Sequence, residues 1–317
     1  MNPTLIRLVA NRLATGLLTL LLVSLVVFFA AGLLPGDVTE AVLGQSATPE
    51  LVAAMRETLG LNRPAPLRYL DWLAGLFHGD LGMSLVNRVP VWQLMRDRLA
   101  NSLILAGFAT AITVPLSLLL GITTAVLRGS PYDRATNVTA VSLVSVPEFL
   151  IATVAVIIFA VELQWFSALS SPRFGSVEQV FQSFTLPVLT LACGMIAQMT
   201  RMTRAALINV LDSAYVEMAR LKGVRPVRLV LAHALPNAIG PIVNAIALSL
   251  SSLVGGVIIV EVIFNYPGLA KLMVDAVSTR DMPLIQACVM ISCAAYMMLV
   301  LFADVCSVVS NPRLRHG

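Results

Sequence analysis

A chain of 317 residues that is 58% hydrophobic and only 12% charged, with a mean hydropathy of +0.87, lies far from the roughly 45–50% apolar and 25% charged of a soluble domain. That composition excludes a soluble enzyme and leaves room for one multi-span bundle with one sizeable element outside the membrane. The net charge of +4 does not point to nucleic acid, because the arginines flank apolar runs instead of clustering on a soluble face.

Spanning a bilayer takes about 20 apolar residues, and six runs qualify, at about 13–34, 102–127, 137–162, 185–205, 239–263 and 284–308. The first is longer than the roughly 7–15 residues of a signal-peptide core and has no small-x-small cleavage site, so it reads as a retained anchor. Short loops carrying Lys and Arg stay in the cytoplasm. Arg7 and Arg12 precede the first run, Arg128 and Arg134 lie between the second and third, and Arg313 and Arg315 close the chain. Arg220, Lys222, Arg225 and Arg228 join the fourth run to the fifth. With six spans all of these fall on one side, and the opposite loops, near Arg173 and from Lys271 to Arg280, are poorer in basic residues. The expectation is an all-α membrane protein with six transmembrane helices and both termini in the cytoplasm.

Residues 1–34 form the N-terminus and first span, and residues 35–100 are polar enough to leave the membrane as a small external lobe between helices 1 and 2. Within the lobe "SATPELVAAMRETLGL" predicts a helix with Thr48 as N-cap, Pro49 at the first helical position and Glu50 in the first turn. "LRYLDWLAGLF", after Pro64 and Pro66, predicts a second, and "HGDLGMSL" reads as loop. Residues 101–317 hold the other five spans as the transmembrane core. Cys193, Cys288, Cys293 and Cys306 all lie in apolar segments and read as small packing residues.

The cytoplasmic loop 212–238 carries "EMARLKGVRPVRLVLAHALP", Glu217 to Pro236. Helix formers run up to Gly223, which suits the left-handed position past a helix end, and Arg220 and Lys222 favour the negative end of the dipole. Pro226 suits the first turn of a new helix, so the loop reads as helix, sharp turn, helix, closed by Pro236. In the second helix Val227, Val230, Leu231 and Ala234 share one face, leaving Arg228, Leu229, Ala232 and His233 on the other. Such a projection suits either a soluble partner or an anionic lipid surface.

The pattern Glu217-x-Ala219-x3-Gly223, continuing to Leu235-Pro236, resembles the EAA loop of the membrane subunits of ABC importers. "LPGD" (Leu34 to Asp37), "LGLNRPAPLRYLDWLAGLFHGDLGMSL" (Leu59 to Leu85), "SVPEF" (Ser145 to Phe149), "GGVIIVEVIFNYPGLAKLMVDAV" (Gly255 to Val277) and "NPRLR" (Asn311 to Arg315) are similar to the dipeptide/oligopeptide/nickel permease family. The long loop after span one is typical of its "B" type. Met218 stands where the EAA triplet has its second residue, Asn311 where Asp is common, and Glu148 where the family is usually uncharged.

The resemblance implies a type I ABC importer permease fold and a coupling surface made of Glu217, Ala219, Arg220, Lys222, Gly223, Arg228, Leu229 and Pro236. It implies three kinds of partner besides membrane lipid, a "C"-type permease, two ATP-binding subunits and an external solute-binding protein, and no cofactor in this chain itself. ATP and Mg would be bound by the partner subunits, and no G-x-x-x-x-G-K-[ST] occurs here to cradle phosphates. It further implies a bacterial or archaeal cytoplasmic membrane, peptides or similar small solutes as cargo, and nickel as the second choice. His78, His233 and His316 are scattered and no H-E-x-x-H occurs, so no metal site or catalytic residue is expected.

Charges inside spans are functional hypotheses by default. Glu148, beside the helix-kinking Pro147, reads either as a pathway group for a cationic moiety or as a carboxyl that locks packing. Ser252, with Ser249 and Ser251, either lines a path or bonds its own helix carbonyls. Gly255-Gly256 allows close helix approach. Glu261, Phe264 and Pro267 belong by resemblance to an outer gate, with a capped helix end as the alternative. Asp304 reads as a structural partner of cytoplasmic arginines. An ion-coupled secondary transporter using Glu148 and Glu261, or a scaffold for which the loop is only a docking site, remains as a rival.

Overall fold

The first apolar run folds as α1 (Pro3–Gly32), a helix with no Pro after its first position to interrupt it. In this computed structural model residues 3–32, 39, 43, 47–58, 60, 62–170 and 176–310 are described. The Leu34–Asp37 and Asn311–Arg315 motifs, Arg173, His316 and most of residues 33–46 therefore lie outside the described residues.

After α1 the chain forms α2 (Pro49–Thr58), α3 (Ala65–Phe77), α4 (Val91–Val126), α5 (Pro131–Ser145) and α6 (Glu148–Ala155), which runs on through a wide turn at Val156–Glu162. There follow α7 (Val177–Leu211), α8 (Ala214–Leu221), the short α9 (Pro226–Arg228), a second wide turn at Leu229–Ala234, α10 (Leu235–Ile263), α11 (Leu269–Thr279) and α12 (Met282–Ser310). No β-sheet occurs among the described residues; one antiparallel bridge pairs Met83 with Pro90. Among the described residues five helices are long and apolar enough to cross a membrane, and a sixth span exists if α5 and α6 count as one.

The third span is where expectation and structure differ most. Pro147 was expected to kink a helix with Glu148 near its middle, whereas α5 ends and α6 starts anew at an angle of 99°. The residue before a proline is pushed out of the α region by the pyrrolidine ring, and Val146 sits at φ −91°, ψ 128°. Pro147 then holds φ −58°, ψ 138° as the residue before α6, which makes Glu148 its first residue.

The chain divides into two compact units. One comprises residues 14–102 and 267–295. Its apolar core joins Val91 and Met95 of α4 to Leu269 and Ala276 of α11 and Leu284, Ile285 and Cys288 of α12. Phe28 and Phe29 of α1 meet Tyr69 and Trp72 of α3 in an aromatic cluster, and the Tyr69 and Ser24 hydroxyls bond each other at 2.8 Å. The predicted N-cap is present, Leu51 N–H reaching Thr48 Oγ1 at 3.4 Å. The "HGDLGMSL" loop turns at Gly79 and Gly82, both with φ +79°. It is pinned by Ser84, whose buried hydroxyl donates to the fully buried carboxylate of Asp281, while Leu85 N–H donates to the other Asp281 oxygen at 3.1 Å. No sequence signal announces this clasp, because its partners are 197 residues apart.

The other unit comprises residues 1–13, 103–266 and 296–317. Here α7 packs on α10, α5 and α6. Leu105, Phe184, Leu186, Leu191, Leu253, Val257, Phe264 and Tyr266 build one core cluster; Leu207, Val230, Ala234 and Ile242 anchor a second. Gly121 of α4 is required by close approach: a Cβ there would lie 2.6 Å from Thr203 Cβ and 3.0 Å from the Thr200 carbonyl. Asp133, capped into α5 by Ser130, forms a two-pronged pair with Arg204 of α7 at 2.7 and 2.8 Å. Arg12 Nε and Asp304 meet at 2.8 Å, so Asp304 has the arginine partner expected of it.

Candidate coupling surface and translocation cavity

The loop 212–238 folds as helix, sharp turn, helix. In α8 only Val216 is buried; Glu217, Met218, Arg220 and Leu221 are exposed and Ala219 is half-buried. The helix stops in a Schellman arrangement: Gly223 N–H donates to the Arg220 carbonyl at 2.9 Å and Val224 N–H to the Ala219 carbonyl at 3.2 Å. This closure puts Gly223 at φ +81°, the left-handed region that glycine enters without a Cβ penalty. Tyr215 ties the two halves together by donating its hydroxyl to the His233 carbonyl at 2.9 Å.

The second half departs from the expected α-periodicity. Leu235 N–H bonds to the carbonyl of Val230, five residues back, a π-type turn that takes one extra residue. The wider turn admits Pro236, whose missing N–H and ring conflict with an ordinary i−4 bond. Two corrections follow. Pro236 does not close the element, since the helix continues unbroken into α10. The inward face is also different: Leu229 and Val230 are 4% and 6% exposed, whereas Val227 and Leu231 are 70% and 56% exposed. Val230 and Ala234 are buried as expected; Leu229 anchors the loop from within.

What faces outward is a patch of mixed character. Leu221, Val227 and Leu231 supply apolar surface, and Arg220, Lys222, Arg225 and Arg228 stand exposed around it. Among the described residues none of these four cations has an ion-pair partner. Residues 222–225, 227, 228, 231 and 232 line a shallow depression at the Gly223 turn.

A second feature lies between α5, α6, α7 and α10. Pro147, Glu148, Gln198, Ser252 and Gly256, with apolar neighbours including Ile151, Met195 and Leu253, line a cavity of about 310 Å³. The structure thus brings Pro147, Glu148 and Ser252 together around one cavity. The Ser252 hydroxyl donates to the Ser249 carbonyl at 2.8 Å, the local bonding weighed for it. Gly256, and not Gly255, is the close-approach glycine: a Cβ on it would come 2.6 Å from Glu148 Oε1, while Gly255 faces open space.

Glu261, Phe264 and Pro267 do not line this cavity. Glu261 and Phe264 are fully buried, with Phe264 in the core cluster beside Phe184 and Tyr266. Pro267 belongs to the other unit, where its carbonyl accepts from Asn101 Nδ2 at 2.8 Å. Gln198 and the Asp133–Arg204 pair were not singled out from sequence, although an arginine inside a long apolar helix is itself a signal for a buried acidic partner. Among the described residues no group of three or more His, Cys, Asp and Glu side chains is placed to hold a metal ion.

The family model for the inner membrane component of binding-protein-dependent transport systems matches residues 117–316. The chain belongs to this family. The model for the N-terminal part of such membrane components matches residues 5–106. A protein of Brucella abortus (strain 2308) that carries a peptide transport system permease name is 36% identical over 310 residues, covering 98% of this chain and 99% of its own. The glutathione transport system permease proteins of Pectobacterium atrosepticum and Escherichia coli O6:H1 are 37% and 35% identical, covering 94% and 97% of this chain and 95% and 98% of their own. The chain is therefore a multi-pass, all-α permease subunit of an ABC importer with the type I fold, a transport component and not an enzyme.

Proposed function

We propose that this chain is the "B"-type half of an ATP-driven peptide importer, paired with a second, "C"-type permease, two ATP-binding subunits and an external solute-binding protein. The cytoplasmic loop 212–238 is its coupling element, and ATP with Mg is bound by the partner ATPases. The observation that carries this reading is the outward face of the loop: the turn at Gly223 presents apolar side chains beside four exposed cations that have no ion-pair partner among the described residues. That combination suits a protein groove with acidic rims better than water, because exposed apolar patches mark binding surfaces. Positive loops place both termini and this face in the cytoplasm, on the inner side of a bacterial or archaeal cytoplasmic membrane. Peptide cargo is supported by the names of the relatives. Closure of the ATPases would move α8 and α9, and with them α7 and α10, opening the Glu148 cavity to one side or the other.

The test is a pull-down of the tagged chain in mild detergent, with mass spectrometry of what stays bound. Recovery of a second permease and of P-loop ATPases is expected, with both ATPases lost on Leu221→Glu and Leu231→Glu substitution of the patch. A chain recovered without ATPases would refute the proposal.

A further inference from the structure

The cavity beside α6 contains an ionisable group that no described residue satisfies. Among the described residues Glu148 makes no side-chain hydrogen bond and no ion pair, and no other charged residue lines the cavity. Glu148 is half-buried, and a carboxyl kept for packing is expected to bond a neighbour, because a polar group taken out of water needs a hydrogen-bond partner. Here the surroundings leave it room instead: Gly256 has no side chain where a Cβ would collide with Oε1 at 2.6 Å. The carboxylate stands at the first turn of α6, the positive end of that helix, where negative charge is favoured. Gln198, an exposed side chain, also lines the cavity and makes no hydrogen bond among the described residues. At about 310 Å³ the space lies at the small end of the roughly 300–1,000 Å³ of ligand sites, enough for one end of a peptide.

Resting on the importer reading above, we infer that Glu148, seated against Gly256 in a cavity it shares with Gln198, is a cation-recognition subsite that makes this permease favour cargo carrying a protonated amine or guanidinium. The charge comes either from a free amino terminus or from a basic side chain. Within the membrane a single carboxylate without a resident cation is the group that such cargo would pair with.

The test uses the whole transporter, with the same solute-binding protein throughout, reconstituted in vesicles. ATP-driven uptake is compared for one peptide with a free or an acetylated amino terminus, and for a second pair in which lysine is exchanged for norleucine. The neutral member of each pair normalises for the amount of assembled transporter. Glu148→Gln is expected to lower the charged-to-neutral ratio by roughly ten-fold, the worth of ~1.4 kcal/mol, in the arm that carries the recognised cation. Gly256→Ala, which drives its Cβ into the carboxylate, is expected to lower the same ratio, and it stands as the test if Glu148→Gln does not assemble. Ratios equal to those of the unmodified transporter in both arms would overturn the inference while leaving the importer intact. Absence of any ATP-driven uptake by the unmodified complex would overturn the importer reading, and the subsite with it.

Discussion

Substitution of Gly223 separates backbone shape from side-chain contact in the coupling loop. The residue holds φ +81° inside a Schellman closure, and a Cβ built on it meets nothing within 4 Å, so any cost is conformational. Alanine in the left-handed region costs about 1–2 kcal/mol, Asn less because its side chain bonds locally, and a β-branched residue more. A penalty of 1–2 kcal/mol changes the population of the native turn by a factor of roughly 5–30. If the turn transmits movement from the ATPases, uptake should fall in the order Gly, Asn, Ala, Val. Asn should stay within about two-fold of the original and Val should lose about ten-fold or more. The assay is peptide uptake in vesicles together with ATP hydrolysis: uptake falls while hydrolysis persists, which is uncoupling. Undiminished coupled transport by Gly223→Val, or equal damage from Asn and Val, would refute the reasoning.

Other predictions concern the frame around the site. Arg204→Ala strands the buried Asp133 carboxylate, which keeps only Gly129 N–H and Asn137; breaking such a pair costs about 3–5 kcal/mol, read as a lower thermal midpoint in detergent, with Arg204→Lys between. Arg128→Ala, at an exposed pair with Asp212, should shift the midpoint little, because such pairs contribute about 0–1 kcal/mol. Gly121→Val forces α4 away from Thr203 and Thr200 and should destabilise by about 1–3 kcal/mol or more, whereas Gly194→Ala, with open space around it, should be tolerated in the same assay. Ser84→Ala removes the hydroxyl that satisfies Asp281 and should cost about 1–3 kcal/mol, seen as faster proteolysis of the loop at residues 78–90; Ser84→Thr should restore protection.

Signals that act within a few residues were legible in the sequence. Thr48 caps a helix, Gly223 ends one, and the apolar runs mark the long helices, because capping, left-handed turns and hydropathy are local properties. The Glu217 to Pro236 pattern also predicted two helical pieces about a turn. Its facing was misread, since Pro236 is accommodated by a π-type turn that rotates Leu229 inward and Leu231 outward; simple 3.6-residue periodicity contains no such step. Pro147 signalled a kink, but its local signal does not give the 99° at which α6 starts anew after α5. Pairings such as Ser84 with Asp281, Asp133 with Arg204, and Glu148 with the Gly256 notch depend on tertiary approach and carry no short-range signature. The two helices and turn of residues 212–238 were therefore legible in advance, while the cavity became visible only when α5, α6, α7 and α10 were brought together.

On the importer reading, this chain moves solute only through ATP hydrolysis on separate subunits. This is tested most directly by loading vesicles with ATP or with a non-hydrolysable analogue and following labelled peptide, with the ATPase subunits present or omitted and with a proton gradient imposed or collapsed. The account predicts uptake only with ATP and the ATPase subunits together, indifferent to the proton gradient. Uptake by the chain without ATPases, driven by the gradient and abolished when it collapses, would contradict it.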